Sequence, residues 1–274
     1  MPKATVILCA DDFGISAGVN RAIIDLAGQG RLSAVSCMSL GAAWAEGAQA
    51  LKPLHDKVDV GLHLTFTYLQ PLTPAFGERF PSEKAIIIKS WARILDRKLV
   101  EKEIRAQFKK FIELWGAPPD FIDGHQHVHI LPVIRDILLR VRAELAPQSW
   151  MRNVYDLSAL TEGAKYGVLA VLGSRWLGFL KKNGIAHNKL LRGAYDYSKP
   201  VDFPAMMAHW CALKEPVLIY CHPGFPDAGL AKYDAVLEPR RREYDFFNSS
   251  QFGAWLEQEE VKLVKRPPAE GSLP

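Results

Sequence analysis

Apolar positions along this chain follow two rhythms. Short β-branched runs bounded by turn residues predict strands at residues 5–10, 34–39, 58–64, 120–125, 149–153, 189–193, 216–221 and 261–265. Between them, apolar residues spaced by three and four predict helices near residues 16–27, 42–51, 99–114, 132–145, 157–182, 203–213 and 239–257. Strands that alternate with helices in this way argue for a parallel α/β fold, either a (β/α) barrel or a doubly wound sheet. Residues 70–98 break the pattern with Pro71, Pro74, Gly77 and Pro81 and read as an irregular insertion, a lid or a small subdomain. The rest reads as one domain over residues 1–265, and the tail RPPAEGSLP, residues 266–274, is expected to be disordered.

Composition narrows the classes. With 274 residues, 49% of them hydrophobic and 23% charged, the chain can bury a sizeable core. Its net charge of +4 comes from 34 basic and 30 acidic residues scattered without a long basic block or a nucleic-acid motif, so nucleic acid is not an expected partner. Cys9, Cys37, Cys211 and Cys221 form no C-x-x-C pair and suit buried thiols in a reducing cytoplasm. Asp11 and Asp12 interrupt the first apolar run too early for a signal peptide, so a cytoplasmic location is expected. The apolar segment at residues 166–180 carries Arg175 and falls short of a membrane span, though it could face a lipid or a second copy in a homodimer.

The candidate chemistry gathers where strands end, the functional edge of both architectures. The first strand delivers Asp11 and Asp12, the third His63, the fourth Asp123, His125, His127 and His129, and the seventh His222. An aspartate pair ahead of a helix can simply cap it, and a lone histidine such as His63 can be structural. Three histidines at alternate positions of an extended chain share one face, and crowding them has little structural purpose without a metal or an anion. Imidazoles with one carboxylate can hold a divalent cation that keeps an open position. A cation also explains the doublet, because it favours ionisation of both carboxylates, one as ligand and one as base. A competing motif is GISAG at residues 14–18, which fits G-x-S-x-G and would make Ser16 the nucleophile of a serine esterase with His222 downstream. It follows the first strand, too early for such an elbow, and Ser16 reads more simply as a helix N-cap.

Four stretches together carry a resemblance: ADDFGISAGVNRAI, VGLHLTF, FIDGHQHVHILP and YCHPGF, spread over residues 5–226. In order and separation they resemble the YdjC-like carbohydrate deacetylase family, which includes chitooligosaccharide deacetylases and a hopanoid-biosynthesis-associated branch. The resemblance implies an irregular, TIM-like (β/α) barrel that removes N-acetyl groups from N-acetylglucosamine-containing saccharides or glycolipids. It also implies a divalent metal, magnesium or zinc first, with manganese and cobalt as further candidates. Carried over by motif, Asp11 resembles the catalytic base, Asp12, His63 and His125 the metal ligands, and His222 the general acid. His127 and His129 could be further ligands, supports or sugar contacts, and Arg152, at another strand end, could contact substrate or form a structural salt bridge. The alternative from another class is a non-catalytic, metal-dependent sugar-binding protein, against which the intact Asp11 and His222 argue.

Overall fold

Strand β1 (Ala4–Phe13) is buried almost throughout, because it has sheet on both edges and helices over its outer face. That position explains its unbroken apolar run, the mark of a strand inside a parallel sheet. The computed structural model describes residues 3–162, 164–213 and 215–268, leaving out the side chains of residues 75, 161, 162, 164–166, 168 and 169. On one side of β1 lie β2 (Ala34–Cys37), β3 (Asp59–Leu64), β4 (Phe121–Gly124) and β5 (Trp150–Met151). On the other lie β7 (Val217–Cys221) and β6 (Leu190–Arg192), while β8 (Val261–Leu263) pairs with the start of β1. All the pairings are parallel.

The sheet curls until its two ends meet. Met151 bridges to His187, its amide donates to the Ala186 carbonyl at 2.9 Å, and the Asn153 amide donates to Asn188 Oδ1 at 2.8 Å. The expected barrel is therefore present, irregular at this seam, and each of the eight predicted strands is found. Close packing fixes some residue types: a Cβ on Gly61 of β3 would lie 2.5 Å from the Phe121 ring, which in turn stacks on Trp150 at 4.4 Å.

The helices are α1 (Ala17–Gly28), α2 (Trp44–Leu51), α3 (Glu83–Trp91), α4 (Arg97–Trp115), α5 (Ile134–Leu145), α6 (Ala164–Lys182), α7 (Phe203–Cys211), α8 (Glu238–Asn248) and α9 (Ser250–Gln258). Ser16 caps α1, as the sequence suggests, accepting from the Val19 amide at 3.3 Å. Three expectations change. The insertion is not wholly irregular, since Ser82 caps α3 and Asp96 caps α4 within it. The helix expected over residues 239–257 is two, because Ser249 turns extended and caps α9 through the Phe252 amide. The helix expected over residues 157–182 begins as a separate 3-10 turn, Leu157–Glu162, before α6. Residues 269–274 of the tail lie outside the described residues. The four cysteines are buried free thiols, and among the described residues no helix is long and apolar enough to cross a membrane.

Candidate active site

The aspartate doublet sits on an irregularity of β1. Pairing with β2 shifts register between Ala10 and Phe13, and Asp12 takes a left-handed φ of 67°, which an L-residue holds only when its surroundings impose it. Gly14, at φ +95°, completes the turn into α1. The shift sends the two carboxylates to different partners, so their charges do not face one another.

Asp12 turns towards two imidazoles. Its Oδ1 lies 3.0 Å from His125 Nδ1 and 3.4 Å from His63 Nε2, and its Oδ2 accepts from the Arg240 guanidinium at 2.5 Å. Burial opposes ionisation of Asp12, but Arg240 and His125 outweigh it and hold the carboxyl well below the usual range. Oδ1 is nevertheless buried without a well-formed hydrogen bond. The ligand atoms of Asp12, His63 and His125 lie within 4.8 Å of one another, spacing and chemistry that fit a cation.

His63 is aimed from behind. Its Nδ1 is 2.7 Å from Asp123 Oδ1 and 2.9 Å from Ser36 Oγ, and Ser36 also donates to Asp123 at 2.5 Å. A carboxylate on the far ring nitrogen fixes the tautomer that presents Nε2 to the site. Burial disfavours a charged His63 ring, yet Asp123, Asp11 and Asp12 more than compensate and raise its pKa to about 10. A cation on Nε2 would take the place of that proton.

Asp11 turns the other way, into a fork-on-fork pair with Arg152 at 2.7 Å for both bonds. The same guanidinium reaches Asp123 Oδ2 at 2.5 Å and Cys9 Sγ at 3.2 Å. Cys9, Asp11 and Asp123 also have ligand-like spacing, but Arg152 supplies the cation there. Of the two readings of Arg152 in the sequence, the salt bridge is the one its fully buried side chain fits. Four carboxylates (Asp11, Asp12, Asp123 and Asp234) meet two guanidinium groups in this cluster, because Arg240 also pairs with Asp234 at 2.6 Å. The excess of negative charge suits a divalent ion.

His222 follows β7. Its Nδ1 is 3.0 Å from the Tyr197 hydroxyl, and its backbone amide donates to Glu243 Oε2. Glu243 accepts from the Tyr195 hydroxyl at 2.7 Å, and burial pushes its pKa up to about 7. Asp11, Asp12, His63, His125 and His222 all line one cleft of about 470 Å³, and Glu83 and Ile87 of α3 and Leu172 of α6 form part of its wall.

The three alternate histidines do not share a face. The chain leaves β4 at Gly124 and enters a 3-10 turn, His125–Ile130, in which Gln126 (φ 51°) and His127 (φ 57°) are left-handed. His125 alone of the three reaches Asp12. His127 lines the cleft with its ring against Tyr220. His129 is fully buried at 3.1 Å from the Arg152 carbonyl, against Trp176, and burial lowers its pKa to about 3, so it is a neutral structural group. Ser16 caps α1 and is not part of the cleft wall that Asp11, Asp12 and His222 line.

Residues 5–258 match the family described as YdjC-like protein. The chain belongs to the YdjC-like family. Chitooligosaccharide deacetylases of Proteus mirabilis and Yersinia enterocolitica are 36% identical over 150 residues and 34% identical over 137. These alignments cover 52% and 48% of this chain and 55% and 53% of the relatives, so the chain spans about half the length of the curated relatives it matches. A crystal structure from Enterococcus faecalis V583, of a protein proposed as a cellobiose-phosphate cleavage protein, superimposes with a TM-score of 0.74 at 20% identity, over 96% of this chain and 97% of that one. That likeness shows a shared fold.

The YdjC-like span takes in several site residues that sequence reasoning left unassigned. Asp123 stood out at a strand end, yet only its contact with His63 Nδ1 gives it a role. Ser36 lies in a predicted strand and could have been found as a polar residue in an apolar run. Tyr197, Arg240 and Glu243 gave no such signal. The last two lie in the charge-rich EPRRREYD stretch, which reads as a solvated helix face, though their i, i+3 spacing puts them on one side of α8.

Proposed function

We propose that this YdjC-like protein is a metal-dependent carbohydrate N-deacetylase. The observation that carries the reading is the buried, unsatisfied Asp12 Oδ1 between two imidazoles, in a cleft that Asp11 and His222 also line. The names of the chitooligosaccharide deacetylase relatives support the substrate class. Asp12, His63 and His125 would hold the ion, and their two nitrogens and one carboxylate suit zinc, manganese or cobalt better than magnesium, which favours oxygen donors. When bound, such an ion supplies Lewis acidity for an amide carbonyl and acidifies water.

The other residues supply proton traffic. Asp11, held in place by its two bonds from Arg152, faces the cleft as the base that takes a proton from the attacking water. His222, oriented through Nδ1 by Tyr197, presents its other nitrogen as the acid that protonates the departing amine. Tyr197 remains a neutral hydroxyl, since burial raises its pKa. The test is acetate release from chitooligosaccharides. Activity should vanish after dialysis against a chelator and return with zinc, manganese or cobalt. Sugar binding without release under any metal would favour the binding-protein reading, and full activity after verified metal removal would overturn metal dependence.

A further inference from the structure

Helix α3 presents three stripes. Turning about 100° per residue, it directs Ile86 and Ser90 into the protein, Glu83 and Ile87 to the cleft, and Lys84, Ile88 and Trp91 outward. The outward stripe is out of keeping with a soluble rim, since Ile88 is 66% exposed, Trp91 43% and Ile94, just past the helix, 68%. Apolar side chains of this size are rarely left together in water without a partner.

The surrounding charge says which partner. Lys84, Lys89, Arg93, Arg97 and Lys98 are all exposed, Arg93 with Asp136 as its ion-pair partner at 3.9 Å, against Glu83 and Asp96. Five basic and two acidic residues leave an excess of three in residues 83–99, out of +4 for the whole chain. The scatter of charge along the sequence thus hides a concentration at one edge of the cleft. A second copy of this chain is a poor occupant, because a two-fold contact would set the same five cations against themselves. Exposed isoleucines and a tryptophan within a ring of lysines and arginines match the interface of an anionic bilayer, where apolar side chains enter the headgroup boundary and cations meet lipid charge.

We infer that the exposed face of α3 and its continuation to Leu99 docks this protein on an anionic lipid surface, with the cleft opening beside it. Val171 of α6, 71% exposed, adjoins the cleft residue Leu172 and repeats the arrangement on a second helix. The docking stands apart from the deacetylase reading and is tested without turnover.

The experiment is flotation of the full chain with vesicles of phosphatidylcholine, alone or with roughly a third phosphatidylglycerol. Binding is expected to the mixed vesicles only and to weaken as salt rises. Lys84→Glu with Lys89→Glu should lower the bound fraction by roughly tenfold. Ile88→Gln with Trp91→Gln should lower it several-fold at unchanged charge. Both variants alter exposed side chains outside the cleft, and circular dichroism with a melting curve confirms that each is folded. Equal binding to neutral vesicles, no binding to either kind, or insensitivity to the apolar substitutions overturns the inference. So does a dimer, in sedimentation of the vesicle-free protein, that dissociates on Trp91→Gln.

Discussion

At the residue scale, the division of labour between Asp11 and Asp12 is written in their partners. Asp12 faces imidazoles and Asp11 faces a guanidinium, so the two should fail differently when replaced. Asp11→Asn should keep bound metal while slowing deacetylation by about 10²- to 10⁴-fold, the scale of a lost general base. His125→Ala should lose the metal itself, and elemental analysis of the two purified variants beside their rates separates the roles. Asp123→Asn, which touches the site through His63, Ser36 and Arg152, should weaken metal affinity by about 10- to 100-fold, measurable by competition with a chromogenic chelator. The doublet and the strand-end histidines were legible in the sequence because strand C-termini converge. The left-handed turn at Gln126 and His127 was not, because nothing in HQHVH distinguishes an extended run from one that turns as soon as it leaves the sheet. For that reason three equivalent histidines become a candidate ligand, a cleft residue and a structural group.

At the element scale, α8 does what its composition conceals. Arg240 and Glu243 leave its buried side towards Asp12 and the His222 amide respectively, so one helix steadies both halves of the proposed site. Glu243→Gln keeps an acceptor for one partner but puts an amide donor against the other. It should therefore lower kcat with little change in metal content, because the His222 backbone and the Tyr195 hydroxyl lose a well-matched partner. An unchanged kcat would mean that Glu243 only stabilises the loop. The strands were legible one by one, since each is a short β-branched run ended by turn residues. The break at Ser249 was harder to see, because one capping serine in an amphipathic stretch also suits a solvent-facing helix position.

At the scale of the whole molecule, buried titratable groups give stability two opposed dependences on pH. Asp12 and Asp123 have folded pKa values held down, by Arg240 and His125 for the first and by Arg152 and His63 for the second, each against the penalty of burial. Their contribution is present above the unfolded carboxylate value of about 4 and is lost as pH falls below it. Glu243 works the other way, because burial raises its folded pKa to about 7. Its contribution is present below an unfolded value of about 4.3 and is lost as pH rises from there towards about 7. In denaturant melts of the metal-free protein, His129 with its pKa of about 3 offsets Glu243 between about pH 4.3 and 6.5, and His63 with its pKa of about 10 adds a further fall above that. The Glu243 contribution is therefore read as the difference between wild type and Glu243→Gln, which should lack it.

Strand β1 precedes the other strands of the sheet in the sequence, yet β7 and β8, which complete its edges, lie about two hundred residues or more downstream, and Val6 pairs with both Val217 and Leu263. Contacts so distant in sequence cannot form on a nascent chain until most of it has emerged. During that interval the strand bearing the aspartate doublet has one edge open to unintended pairing, a natural point for a chaperone to act. Chains arrested before residue 217 should accordingly be cleaved readily by protease within residues 4–13, whereas chains released after residue 263 should become resistant there in a single step.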